Sequence, residues 1–489
     1  MKILIINPPA FRGNDYIREG RCMQTKSSWA SLWMPLSLAY IAAFLRKEGS
    51  EIKLIDCIAK KMKAEKLIKI AKDFSPGLIV INTAFPSIKG DMETAARFKK
   101  ALPSAKIASI GLYPTLFEDK FLEEFSTPDF AVIGEPEWVI KNLVKTLEIG
   151  ENLDKVDGLI WRKTPTPNPS PASVVTGEGS KSDIVVNQPQ KIEENDLDEL
   201  PFPARDLLNN EAYRLPTDRK KFTLLSVGRG CPFNCSYCAA HTYYGKKFRR
   251  RTVKSVIDEI EECLNKYGIK SFLFWGESFT LDYLYGEAIC DEIMNRGLKI
   301  TWSAASRADT LNEKLLKKMK QAGCILLGLG IESANQEVLD RAKKGISLEK
   351  IKRAIKMVKE AGISSMGHFV FGLPGDTKES AKETMKFACG SGVNYAQFYC
   401  AIPYPKTELG RIAKKNDWIE TKNYSEFDLT KSVMRNEALS SAQIKKFRDK
   451  AYRKFYFRPK MIKQTMKEVS SFRSFLEILN FMKWIKPKS

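Results

Sequence analysis

Histidine is nearly absent: the chain has two in 489 residues, and neither precedes His241. Residues 1–240 therefore offer no imidazole to a metal. Long apolar runs are missing too, and none approaches the ~18 residues that span a bilayer. Met1-Lys-Ile-Leu-Ile-Ile-Asn7 has one charged side chain and no small-residue cleavage site. It reads as a strand and not as a signal peptide, which makes the cytoplasm the expected compartment. Paired cysteines are also lacking. Of ten cysteines, three share one short motif, and Cys22, Cys57, Cys263, Cys290, Cys324, Cys389 and Cys400 are scattered singly. That pattern excludes a disulfide framework, and most of the singles read as small buried hydrophobes. No Gly-x-Gly-x-x-Gly follows the first strand, which argues against a dinucleotide.

What is present is ordinary for a soluble protein: 43% hydrophobic and 28% charged residues. The length gives room for two or three domains with real cores. The formal charge of +22 is uneven, because residues 431–489 hold sixteen Lys/Arg against four Asp/Glu. A basic tail points to nucleic acid, acidic lipid or an anionic substrate; the plainer reading is a solvated lysine-rich surface.

Residues 1–150 alternate strand patterns (near 2–7, 52–56, 78–82, 106–110 and 130–133) with helical periods. Such alternation predicts a doubly wound, Rossmann-like parallel sheet with ligands at the carboxyl ends of its strands. The loops there are Asn7-Pro8-Pro9, Thr83 to Ser87, Gly111-Leu112-Tyr113-Pro114-Thr115 and Gly134-Glu135-Pro136-Glu137. They are small, polar and turn-forming, which suits a large flat ligand lying across the edge.

Residues 151–215 read as a linker, with an insertion at 163–190 too rich in Pro, Ser, Thr and Gly to order itself. Over 216–425 the alternation resumes. Chemistry-bearing residues now stand at the strand ends: Gly276-Glu277-Ser278, Arg307, Ile331-Glu332-Ser333, Gly372-Leu373-Pro374-Gly375 and Pro403-Tyr404-Pro405. Six βα units of this kind predict a partial (βα)6 TIM-type barrel, opened enough for a bulky substrate. A basic helical tail over 426–489 completes the expected α/β architecture.

The first barrel strand runs into Cys231-Pro-Phe-Asn-Cys235-Ser-Tyr237-Cys238. Three thiolates within eight residues can wrap one iron–sulfur cube. A structural zinc site or an electron-transfer cluster takes four protein ligands, so a set of three leaves one iron open to a small molecule. The competing reading is a zinc site completed by a remote Cys or His.

With these motifs in view, the chain resembles, over most of its length, the radical S-adenosylmethionine (SAM) enzymes that carry a cobalamin-binding domain. That family includes class B radical SAM methylases and the anaerobic porphyrin-ring cyclase. In the barrel the likeness rests on the Cys-x3-Cys-x2-Cys run with Tyr237, on Gly276-Glu277, on Gly330-Ile331-Glu332-Ser333 and on Gly372 to Gly375. In the first domain it rests on Asn7-Pro8-Pro9, the run from Pro35 to Leu45 and Gly134 to Glu137. Residues 196–205 look like the linker joining the two.

The resemblance implies a [4Fe-4S] cluster on Cys231, Cys235 and Cys238, with the amino and carboxylate groups of SAM on the open iron. It places Glu277 on the SAM ammonium, where relatives often carry an aspartate pair, Arg307 on the methionine carboxylate and Glu332 on the ribose. Tyr237 and the Gly372 backbone fall near adenine, and Gly276 and Ser333 complete the SAM set. Structural readings stand beside these: a salt bridge for Glu277, a neighbouring acid for Arg307, a helix N-terminus for Glu332 and packing for Tyr237. The resemblance also implies cobalamin, contacted by Asn7, Pro8, Pro9, Thr83, Ser87, Gly111, Tyr113, Gly134 and Glu135. Asp-x-His-x-x-Gly is missing, so no histidine of this domain fills the lower axial position. A Rossmann-like domain without cobalamin is the alternative.

The implied reaction is cleavage of SAM to methionine and a 5′-deoxyadenosyl radical, followed by cobalamin-dependent C-methylation of an unactivated carbon. Cyclisation or rearrangement by the same radical is the alternative. Expected partners are a small-molecule substrate, a lipid or tetrapyrrole, and an electron donor such as flavodoxin or ferredoxin. Nucleic acid is not expected: tRNA methylthiotransferases carry three further N-terminal cysteines, and here only Cys22 and Cys57 precede the motif. A non-enzymatic scaffold would have lost motif cysteines, and all three stand. His241 and His368 are candidate proton shuttles or plain structural histidines, and Tyr243, Tyr244 and Tyr404 are candidates for the barrel mouth. In the tail, Phe472, Phe475, Leu476, Leu479 and Met482 form an apolar stripe ending at Trp484 among lysines. It suits either peripheral membrane contact or packing on its own protein.

Overall fold

The computed structural model describes residues 1–20, 22–26, 31–163, 183–193, 195–215, 218–459 and 461–463. The N-terminal sheet holds β1 (Lys2–Asn7), β2 (Glu51–Asp56), β3 (Leu78–Thr83), β4 (Lys106–Gly111) and β5 (Phe130–Val132), followed by β6 (Leu159–Arg162) and β7 (Ile184–Val186). Their order is β2-β1-β3-β4-β5-β6-β7, parallel as far as β5 and antiparallel beyond. Each central strand is apolar on both faces because helices cover both. Leu4, Ile6, Ile79 and Ile81 enter one core, whereas Ile3, Ile5, Leu78 and Val80 enter the other. The doubly wound expectation therefore holds.

The segment expected to be a linker does more than connect. β6 and β7 extend the first sheet by two antiparallel strands, and Asn187 bonds the Leu153 and Val156 carbonyls behind them. Arg205 is fully buried and reaches Thr223, the Leu224 carbonyl and Glu259. Short apolar strands such as Leu159–Arg162 carry too little periodicity to announce themselves beside a low-complexity insertion.

The second sheet holds β8 (Phe222–Ser226), β9 (Ser271–Trp275), β10 (Thr301–Ser306), β11 (Cys324–Glu332), β12 (Ser364–Phe371) and β13 (Tyr395–Cys400), all parallel and in sequential order. β8 and β13 do not pair, so the barrel is open. Its outer helices begin at side chains that cap them: Thr252, Asp282, Asn312, Ser347 and Thr377 each accept a backbone N–H from the first turn. Tyr283–Asn295, capped by Asp282, is one of these outer helices. The helix Ser441–Tyr456 covers the free edge of β13, where the Tyr456 hydroxyl bonds both polar groups of the Ala396 backbone. The apolar stripe from Phe472 to Met482, its neighbour Trp484 and most of the 163–190 insertion lie outside the described residues.

The two sheets meet through a buried ion cluster. Arg229, on the turn after β8, bonds Glu135 at 2.6 Å and Glu137 at 2.7 Å. Arg249, paired with Arg229 across a two-residue antiparallel ladder, closes on the other oxygen of Glu135. All four side chains are at most 7% exposed. Removing one partner strands charge away from water, which is what makes such a cluster costly to break.

Arg229→Met is expected to lower stability by about 3–5 kcal/mol. Arg46→Met breaks the exposed Arg46–Asp206 pair, in which both side chains are 47% exposed. It should cost no more than about 1 kcal/mol. Urea unfolding followed by tryptophan fluorescence separates the two, and equal effects would contradict the reading.

Candidate active site

β8 ends at the turn Gly228-Arg229-Gly230, and the cysteine loop begins there. Gly230 has φ +92°, and a Cβ would come within 2.0 Å of the Lys247 carbonyl, so only glycine allows the crossing. The loop is pinned by backbone bonds from the Cys231 N–H to Gly245, from Ser236 to Ala342 and from Leu409 to Ser236. Cys235 is buried, and Cys231 and Cys238 are half-buried. The Cys238 Sγ accepts the Ala240 N–H at 3.4 Å. Among the described residues no three His, Cys, Asp or Glu side chains converge on a single ion position. An iron–sulfur cube is wider than one ion, and three half-screened thiols on a pinned loop fit it.

Three of the expected SAM-site residues, Tyr237, Arg307 and Glu332, come together beside this loop with Lys344. The Tyr237 hydroxyl bonds Glu332, and Glu332 pairs with Lys344 at 2.9 Å. The Lys344 carbonyl accepts from Arg307 at 2.8 Å, and Arg307 points Nη1 at the Cys235 Sγ, 3.7 Å away. Burial pushes the Glu332 carboxyl up, but Lys344 and then Tyr237 outweigh it and hold it below the usual range. Glu332 also has φ +65°, at an irregularity in the β11–β12 register. A left-handed glutamate of this kind stores strain on the order of 1–3 kcal/mol, and such strain concentrates at functional sites.

The other SAM candidates stand apart. Gly276 packs near Val227 and Gly228, and Glu277 is half-buried within electrostatic reach of Tyr244. Ser333 is buried and shares its hydroxyl with Thr384 and the Asn335 N–H. The Gly372 N–H is taken by Asp376, and its α-carbon faces Ile444 of the C-terminal helix. Arg307 does not offer an open fork: Nε and Nη2 both bond Asp309, at 2.9 and 2.8 Å.

At the N-terminal sheet edge the expected cofactor contacts are occupied by the fold itself. Pro8 and Pro9 are buried, and Asn7 is held by Asp56 and Arg18. Arg18 comes from a hairpin (Tyr16–Glu19 with Cys22–Thr25) laid over the edge, and it also bonds Ser87 and Asp91. Thr83 bonds the Ile110 carbonyl, and a Cβ on Gly111 would strike the Thr83 carbonyl. Tyr113 turns inward, its hydroxyl on Glu124 and its ring among Phe85, Phe117 and Phe121. Gly134 is half-buried beneath Tyr243, and Glu135 belongs to the ion cluster. These side chains are bonded within the fold, and the hairpin that carries Arg18 covers part of the same sheet edge.

Tyr243 and Tyr244 are buried in the same core as the first domain, as is Tyr404 beside Phe85, so they join domains and do not line the mouth. The barrel interior is formed by half-buried alternating residues instead, among them Trp275, Ser303, Ala305, His368, Gln397 and Tyr399. His368 Nδ1 lies 3.1 Å from the Tyr399 hydroxyl, which donates to Gln397. His241 is half-buried, and burial followed by Lys246 lowers its pKa. Sequence reasoning missed Arg229, Glu137, Asp309 and Lys344. The available signal was a charged residue between the two glycines immediately before the motif.

A parallel open barrel with a three-cysteine loop at its first strand defines a radical SAM enzyme. The chain matches the radical SAM superfamily over residues 225–388 and the B12 binding domain over residues 27–144. It is 34% identical over 463 residues to an uncharacterized methyltransferase of Pyrococcus horikoshii, covering 94% of each. It is 28% identical to the anaerobic magnesium-protoporphyrin IX monomethyl ester cyclase of Cereibacter sphaeroides, covering 88% of this chain and 68% of that one. The solved structure of OxsB, a cobalamin-dependent SAM radical enzyme, superposes with a TM-score of 0.74 at 17% identity, over 99% of this chain and 70% of that one. The chain belongs to the radical SAM enzymes that carry a cobalamin-binding domain, whose cofactors are a [4Fe-4S] cluster, SAM and cobalamin. No described helix is long and apolar enough to cross a membrane.

Glu19, on the hairpin, is fully buried and accepts from the Ser37 hydroxyl at 2.6 Å. Burial raises its carboxyl from 4.5 to about 7. The folded chain therefore keeps a proton that the unfolded chain has lost between these values, and stability falls as pH rises through that window. Glu19→Gln is expected to gain thermal midpoint over the wild type from pH 5 to pH 8. A pH-independent difference would refute the assignment.

Proposed function

We propose that the protein is a SAM-dependent C-methyltransferase acting on an unactivated carbon of a lipid or tetrapyrrole. The observation that carries the proposal is the Cys235–Arg307–Lys344–Glu332–Tyr237 chain of contacts at the carboxyl ends of β8, β10 and β11, joined in one polypeptide to a B12-binding domain. When bound, the cluster supplies the electron that cleaves the SAM sulfonium, and cobalamin carries a methyl group.

In this reading Cys231, Cys235 and Cys238 hold the cluster. Glu332, kept ionised by Lys344, offers its carboxylate to the ribose hydroxyls, and the Tyr237 ring lies beside the adenosine. Glu277 and Gly276 form the side nearest the first domain, where Glu277 accepts from the SAM ammonium. Asn7, Pro8, Pro9, Thr83, Ser87, Gly111, Tyr113, Gly134 and Glu135 frame the sheet edge against which cobalamin would lie. The substrate enters the barrel, whose interior carries Ser303, Ala305, His368, Gln397 and Tyr399, with the His368 ring packed against Gly328. Lysines and arginines on the surface attract an acidic electron donor of the flavodoxin or ferredoxin kind.

A second reading, cyclisation, is favoured by the likeness to the porphyrin cyclase. The two separate on the fate of the SAM methyl group. Protein reconstituted with iron, sulfide and cobalamin and given methyl-labelled SAM plus a strong reductant is expected to release 5′-deoxyadenosine and pass label to cobalamin. Cys235→Ala should abolish the deoxyadenosine. Deoxyadenosine without labelled cobalamin would leave cyclisation and remove the methyltransferase reading.

A further inference from the structure

Arg307 is held more tightly than a SAM-carboxylate fork requires. Nε and Nη2 bond both oxygens of Asp309, Nη2 also bonds the Lys344 carbonyl, and the guanidinium lies 3.6 Å over the Phe233 ring. Phe233 is itself a residue of the cysteine loop, between Cys231 and Cys235. These contacts leave Nη1 directed at one atom, the Cys235 Sγ. The side chain is 7% exposed and Asp309 16%, so solvent screens the arrangement little.

We infer that Arg307 sets the reduction potential of the cluster through an N–H···S bond to Cys235, with Asp309 as the counter-charge that moderates it. The physics has two parts. Reduction adds one electron to the cluster, and part of that charge resides on the ligating sulfurs. A hydrogen-bond donor and a positive charge at Cys235 stabilise the reduced state more than the oxidised one and raise the potential. Asp309 opposes this, because its carboxylate offsets the guanidinium charge at short range. The cation and the anion therefore act in opposite directions on one potential. Arg307 works through the cysteine and is a positioning residue, not a catalytic one.

The inference rests on Cys235 being a cluster ligand, and the experiment separates the two claims. Full-length protein is reconstituted with iron and sulfide, and its metal content is measured first. A wild-type protein that assembles no [4Fe-4S] cluster would overturn the ligand assignment. With the cluster present, its midpoint potential is titrated without SAM, followed by the electron paramagnetic resonance of the reduced state. Arg307→Gln is expected to shift the midpoint to more negative potential and Asp309→Asn to more positive. Opposite shifts are not what general loosening of the loop would produce. Should Arg307→Gln fail to assemble a cluster, Arg307→Lys, which keeps the charge and loses the aligned N–H···S bond, is expected to lie below wild type, and a midpoint at or above wild type would overturn the inference. Midpoints that stay at the wild-type value, or that move in the same direction in the Gln and Asn variants, would overturn the inference.

Discussion

The buried contact between Arg229 and the Glu135/Glu137 pair is the constraint on which the rest of the arrangement depends. Arg229 lies two residues before Cys231, and Glu135 and Glu137 open the helix Pro136–Ile149 of the first domain. One guanidinium therefore ties the start of the cysteine loop to the carboxyl edge of the other sheet. Arg249 closes the cluster from the strand that returns after the loop, so both ends of the segment are fixed to the same glutamate. Charges this deeply buried tolerate little displacement, because any gap strands them in a low-dielectric interior. The loop's position relative to the first domain is thus set by geometry and not by a flexible linker.

Within the barrel, a second set of buried charges converts that position into a site. Glu332 adopts a left-handed backbone that costs energy, and Lys344 and Tyr237 hold it there ionised. Arg307 links Lys344 to Cys235, so one hydrogen-bonded series joins the ends of β10 and β11 to the cluster loop. Strain and buried charge in one place are features that stability alone would remove.

The open barrel and the doubly wound sheet were legible because their strands alternate with strongly periodic, well-capped helices such as Val253–Tyr267 and Leu348–Glu360. The cysteine loop was legible because its spacing admits few chemistries. The contacts at the N-terminal edge were not. Asn7, Thr83, Ser87 and Tyr113 have the polarity of ligand residues, yet Asn7 bonds Arg18, Thr83 the Ile110 carbonyl and Tyr113 Glu124, partners brought in by folding, and Ser87 bonds Asp91 one helical turn on. The same holds for Arg307, whose choice between an open fork and Asp309 depends on side-chain conformation. Residues 159–162 escaped because four residues carry no decisive period.

Glu137 and Arg229 hold the cysteine loop in place across the domain boundary. Amide hydrogen exchange of the full-length protein carrying Glu137→Gln tests this most directly. Faster exchange is expected at the Cys231 and Ser236 amides together with the turn at 134–137, with unchanged protection in the distant helix Leu348–Glu360. Acceleration confined to the turn, with the cysteine loop as protected as in the wild type, would contradict it.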